Sequence, residues 1–249
     1  MVGALFGFQF QSEVNMKRLS VITLIFAIAF TMFFMAPPFL TTQFGVYPLM
    51  KAGDVFDIFT PLVLIPLYWL LFRIDADKAP GLTGILIFLL FAAFWVEGQG
   101  IHLSANSIGH LLKGAESSDA YRLTYFYDEV LSHYMWHFGI FGLSALVLLR
   151  QLRNPFTEKQ AISWVIILAG IIHGFTLFVI VVEAGTALLG VPYVVVVTLF
   201  GLIWGWKRFR YQPLLLFFFI TCLIATLLFV GWGAYWGGLP EFSEVGIID

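Results

Sequence analysis

The sequence predicts an all-α integral membrane protein: a bundle of seven transmembrane helices, amino terminus cytoplasmic and carboxyl terminus outside. Three observations carry this. Of 249 residues, 60% are apolar and only 11% charged, more apolar surface than a soluble domain of this size could hide, so the bilayer has to be part of the solvent. The apolar residues gather into seven runs, nearly all long enough to cross a hydrocarbon core about 30 Å thick. The basic residues cluster in alternate loops, which is how orientation is written into a multi-pass chain.

Taken in order, residues 1–18 form a weakly amphipathic cytoplasmic segment, and Met16-Lys17-Arg18 before an apolar run looks like a second possible start. The first span, 19–39, has no small-residue cleavage pattern and stops at Pro37-Pro38, so it reads as a retained helix rather than a signal peptide. Six more spans follow at 56–74, 82–102, 129–149, 161–183, 191–206 and 213–236, the sixth being short. An acidic tail, 238–249, with Glu241, Glu244 and Asp249, closes the chain. Lys17/Arg18, Arg73/Lys78, Arg150/Arg153/Lys159 and Lys207/Arg208/Arg210 fall on one side, which the positive-inside rule makes cytoplasmic. Nothing in this charge pattern calls for nucleic acid. The implied location is a bacterial inner or plasma membrane, with the lipid bilayer as first partner. Gly170/Gly174 and Gly201/Gly205 are small-xxx-small pairs suited to close helix packing. The lone Cys222 cannot form an internal disulfide.

Four of the five histidines lie between Glu97 and His137. Ionisable side chains inside a membrane segment are costly and usually mark a functional site. At about 1.5 Å per residue, Glu97 stands about 22 Å up the third helix, and His137 and His173 about 18 Å up the fourth and fifth. Asp57, on the second helix, comes in at about 25 Å. Residues from separate helices thus share nearly one level in the outer half of the bilayer.

Spacing adds facing to height. Glu129, His133 and His137 recur at i, i+4, i+8 and form one stripe, and two histidines at i and i+4 can point at one ion. His173, Thr176, Ile180 and Glu183 form a similar stripe. His102, Asn106 and His110 recur every four residues, so the third helix is expected to continue past the membrane or to bend along its surface. Glu97 and His102 stand about 140° apart on a regular helix, a gap that a distortion at Gly98 and Gly100 would close.

Imidazole with carboxylate suits a borderline or hard divalent ion. The expected ligands are His133, His137 and His173, with zinc the favoured metal and iron or copper as alternatives. Glu97 is then a fourth ligand or the general base that activates bound water, with Glu129 as a further catalytic or supporting acid. His102 and Asp57 would buttress the ligands, as acceptors and donors behind metal-bound imidazoles do, and Asn106 is a binding candidate. Each residue also has a plainer role: a single histidine can join two helices by a hydrogen bond, Asp128 and Glu129 can complement a helix N-terminus, and Glu183 can sit at the interface.

Seven spans, a cytoplasmic amino terminus and an intramembrane His-x-x-x-His resemble, in plan, the membrane metallohydrolases related to alkaline ceramidases and progestin/adiponectin receptors. The resemblance implies zinc-dependent amide or ester hydrolysis of a lipid. That family places its histidine pair on the last helix, whereas here the pair His133/His137 is on the fourth and the seventh has no histidine, so no residue role is carried over. The leading expectation is a membrane metalloenzyme hydrolysing a lipid or small apolar substrate. Two alternatives stand beside it. One is a haem-binding electron-transfer protein, with His137 and His173 as axial ligands and room at Gly139, Gly142 and Gly174. The other is a metal-ion or proton carrier or sensor.

Overall fold

A computed structural model of the chain describes residues 2–46, 50–73 and 79–247, with side chains from residue 16 onward. Lys78 and Asp249, invoked above for the basic loops and the acidic tail, lie outside the described residues. Helices α1 (Val2–Met35), α2 (Ala52–Arg73), α3 (Leu82–Leu111), α4 (Asp119–Tyr125), α5 (His133–Arg153), α6 (Trp164–Glu183), α7 (Ala187–Phe200) and α8 (Pro213–Trp236) build an all-helical bundle. Seven stretches among the described residues are long and apolar enough to cross a membrane.

Most spans run where the sequence puts them, and the differences have local causes. α3 continues unbroken to Leu111, one of the two courses that the His102/Asn106/His110 spacing allowed. The fourth span starts at Asp119 and not at Glu129. Ser118 caps α4, its hydroxyl accepting from the Tyr121 amide, and a π-helical turn at Phe126–Ser132 joins α4 to α5 without a break. Asp128 and Glu129 are therefore mid-helix residues, and the N-terminal dipole reading of them is corrected. A second π segment, Gly201–Gly205, lengthens α7 so that the short sixth run reaches 19 residues.

The most extensive interfaces join α3 to α5, α6 to α8 and α1 to α6. Gly98 shows how α3 and α5 come so close: a Cβ there would stand 2.7 Å from the Trp136 amide nitrogen and 2.8 Å from the Ser132 carbonyl oxygen. Gly170 and Gly174 do the same for α6 against Ile220 and Thr221 of α8, as their spacing predicts. The bundle centre is aromatic, with Phe26, Phe30, Tyr68, Trp95 and Phe217 fully buried. Many flanking apolar residues stay exposed, such as Leu62, Leu86, Leu168 and Val196, as lipid-facing side chains must be.

The two ends differ in chemistry. Arg73, Arg150, Arg153 and the Lys207–Arg210 turn gather at one end, where Arg208 lies 3.6 Å over the Trp204 ring and the Gln160 amide donates to the Arg210 carbonyl at 2.7 Å. At the other end α1, α3 and α6 finish, α2 begins, and the π turn leads into α5. That end holds most of the acids and histidines.

Candidate functional site

At the acidic end lies a cavity of about 500 Å³. Its walls are apolar, with Phe33 and Phe34 of α1, Phe175, Phe178 and Ile180 of α6, and Phe242 of the tail. Its polar lining is Asp57, Gln99, His102, Glu129, His133 and Glu183, drawn from α2, α3, the π turn, α5 and α6. A mostly apolar pocket with a few converging polar groups is the usual form of a ligand site.

α3 supplies two of these groups because Gln99 and His102 are three residues apart and share a face. The Gln99 amide nitrogen donates to Asp57 Oδ2 at 2.6 Å, and the Thr60 hydroxyl donates to Asp57 Oδ1 at 3.1 Å. His102 Nδ1 stands 2.8 Å from Asp128 Oδ1. This is ion-pair distance, with the carboxylate off the line of the ring N–H. Asp128 is only 8% exposed, and the Ser132 hydroxyl donates to its backbone carbonyl. π turns inside α-helices occur often at functional sites; this one carries Asp128 and Glu129 in place beside α3.

His133 lies beside His102, ring centroids 5.0 Å apart. Its Nδ1 is 3.2 Å from the Ala184 carbonyl oxygen and 3.7 Å from Glu129 Oε2. A carbonyl oxygen only accepts, so Nδ1 carries the proton and Nε2 keeps its lone pair. Glu183, the last residue of α6, accepts the Phe242 amide at 3.0 Å. Phe242 in turn packs edge-on against Phe178 and beside Trp232, so the tail forms part of the cavity roof. Glu241 next to it is pushed up to about 7, first by burial and then by Glu244, Glu183 and Glu129.

The expected ligand set does not assemble. His137 is fully buried one turn below His133, stacked on Trp136 at 4.0 Å, with Nδ1 3.0 Å from the His133 carbonyl and 3.1 Å from the Thr186 hydroxyl. His173 sits among Phe26, Phe30 and Phe217, its Nδ1 3.3 Å from the Thr221 hydroxyl. Neither lines the cavity. Among the described residues no three His, Cys, Asp or Glu side chains converge as a metal site would require. The donor set of His133, His137 and His173 is corrected accordingly: aromatic rings enclose His137 and His173 separately, so nearby heights did not bring the three imidazoles together.

Glu97 is corrected too. α3 stays regular through Gly98 and Gly100, so Glu97 points away from His102 into a separate groove with Gly100, Ser104, Thr124 and Tyr127. Asn106 is half-buried and does not line the cavity. The room expected for a porphyrin is filled as well. A Cβ on Gly139 would meet the Phe91 carbonyl oxygen at 2.7 Å, Gly142 is covered by the Phe91 ring, and Gly174 by α8. His102, Asp57, Glu129 and His133 do meet, as neighbours around one cavity. Gln99, Asp128 and Phe242 were missed. Gln99 was open to detection by its i, i+3 spacing from His102, whereas Asp128 needed the π turn and Phe242 the fold of the tail.

Comparison with protein-family models, curated proteins and solved structures yields no match.

Proposed function

We propose that the cavity is the active site of a multi-pass membrane hydrolase acting on a lipid or small apolar substrate. One observation carries the reading: a histidine–aspartate pair, His102 and Asp128 at 2.8 Å, opens onto a lipid-compatible cavity of about 500 Å³. At that distance the carboxylate offsets the charge of the imidazolium that forms. His102 Nε2 takes a proton from water, the resulting hydroxide attacks the ester or amide carbonyl, and His102 returns the proton to the leaving group. His133, with its own Nε2 lone pair free, is a second proton acceptor beside the first. The aromatic walls hold the chain of the substrate and limit bulk water, which strengthens every charge interaction inside. No step is assigned to a metal, because among the described residues no three donors converge as a metal site would require.

The positive-inside rule places the Arg/Lys-rich end in the cytoplasm, so in this reading the cavity faces the outer side. A carrier reading has less support. Towards the basic end the buried polar contacts are made by hydroxyls and glutamine amides, such as Tyr68–Ser144 at 2.8 Å, Ser20–Ser163 at 3.0 Å and the Leu214 amide donating to Gln151 Oε1 at 3.3 Å, and no acid is buried there among the described residues. Proton relays through membranes are built from acid and histidine chains.

The test is hydrolysis of a total membrane lipid extract by the purified protein in maltoside micelles, with products resolved by mass spectrometry. His102→Ala and Asp128→Asn should each lower product formation by about 10²-fold or more, the size of a general-base contribution. Equal product formation by wild type and both variants would sink the reading.

A further inference from the structure

The charges around the cavity restrict what head group it can hold. Its lining contains three carboxylates, Asp57, Glu129 and Glu183, and no lysine or arginine. The two imidazoles do not reverse this balance: His102 is matched by Asp128, and the His133 Nδ1 proton is already given to the Ala184 carbonyl. Three carboxyl groups against two imidazoles leave the lining without an excess of cationic groups. A phosphate or carboxylate head would find no lysine or arginine to balance it here.

Hydrogen-bonding capacity points the same way. The Gln99 amide nitrogen is committed to Asp57, which fixes the amide orientation and leaves Oε1 facing no donor. That oxygen is buried without a partner, in a residue only 6% exposed that lines the cavity. A buried acceptor left unpaired costs free energy unless a ligand supplies the donor. The Trp136 Nε1–H is the converse, a buried lining donor with no partner, and it suits a carbonyl or hydroxyl oxygen. The aromatic wall suits both an alkyl chain and a cation, since ring faces attract positive charge.

We infer that the cavity selects an amphiphile with an ammonium head over one with a phosphate or carboxylate head. The ammonium donates to Gln99 Oε1 and is balanced by Glu129 and Glu183, while the chain lies against Phe34, Phe175 and Phe178. This inference deepens the hydrolase reading and rests on it for the identity of the site, but head-group choice is measured by binding and not by turnover.

The experiment uses the full chain in uncharged maltoside micelles at neutral pH, titrated separately with dodecylammonium, dodecanol and dodecanoate, with fluorescence of Trp136 as the signal and Trp136→Phe as the blank. Dodecylammonium should bind at least tenfold more tightly than dodecanoate. The double variant Glu129→Gln/Glu183→Gln should erase most of that preference while still binding dodecanol, which shows that its cavity is intact. Gln99→Leu should weaken dodecylammonium severalfold and leave dodecanol unchanged. Three outcomes would overturn the inference: dodecanoate binding as tightly as dodecylammonium, an unchanged preference in the double variant, or no binding of any probe. In each case loss of product formation in His102→Ala would still uphold the hydrolase reading, so the two fail separately.

Discussion

Two pairs of histidines sit within a few turns of each other and lead different lives. His102 and His133 line a cavity, one facing a buried aspartate and the other a backbone carbonyl. His137 and His173 are sealed into aromatic surroundings, each with one ring nitrogen near a threonine hydroxyl and the other buried without a partner. Composition does not separate the pairs, whereas position along the helix does: His102 and His133 stand nearer the acidic end than His137 and His173. What separates them is depth and cover: His133 and His137 share one stripe of α5, but His137 lies a turn deeper, where Trp136 stacks on it and closes it off. An imidazole in a membrane bundle is therefore evidence of chemistry only where it faces space and a proton partner.

Swapping the pairs in experiment should break this contrast if it is wrong. The largest effect falls on turnover: His102→Ala should cost about 10²-fold or more, and His173→Ala should leave the rate per folded molecule nearly unchanged in the same assay. Stability should show the reverse. Removing the His173 ring from its cage of Phe26, Phe30 and Phe217 should cost roughly 2–4 kcal/mol, as truncation of a large buried side chain does. His173→Phe should restore most of that, because the ring refills the cage and its unpaired Nε2 disappears. Thermal unfolding in micelles checks both variants, and a His173→Phe protein no more stable than His173→Ala would refute the packing role.

Next in size is Gly98→Ala, which has no room against the Trp136 amide and the Ser132 carbonyl. Prising α3 from the π turn should cost about 1–3 kcal/mol and also lower turnover, since the same contact sets His102 against Asp128. Glu97→Gln sharpens the contrast from the other face of α3. Its groove is separate, so ammonium binding should stay within twofold of wild type.

The smallest effect is on the tail. Glu241 holds its proton up to about 7 where it sits, first because burial disfavours the charge, and it is an ordinary carboxyl when the tail is undocked. The docked form therefore binds more protons between the ordinary carboxyl range and pH 7, and docking weakens as pH rises through that window. Hydrogen exchange at the Phe242 amide should speed up between pH 5 and 8 beyond its intrinsic pH dependence. Glu241→Gln should abolish the excess. An unchanged excess in that variant would place the titrating group elsewhere.

Much of the fold was legible because a bilayer imposes a simple rule. Leu82 and the apolar run after it had to be a helix long enough to cross, and so did the runs around Val165 and Leu215, since a helix satisfies all its backbone polar groups within one continuous apolar segment in hydrocarbon. The candidate site was legible only in part. Asp57, His102, Glu129 and His133 were picked out by type and height, and they do share a cavity. Glu97 was placed with them on height alone, and 140° of rotation took it to the opposite groove. Asp128 looked like a helix cap until the helix proved to begin at Asp119, with a π turn changing the register before His133.

The sequence by itself determined which segments cross the membrane and how high each polar residue rides, because hydropathy and a fixed rise per residue are properties of one helix alone. Tertiary structure decided which of those residues meet. Facing accumulates about 100° with every residue, one π turn resets it, and the final rotation of each helix is settled by contacts such as Gly98 on Trp136 that join positions distant in the chain.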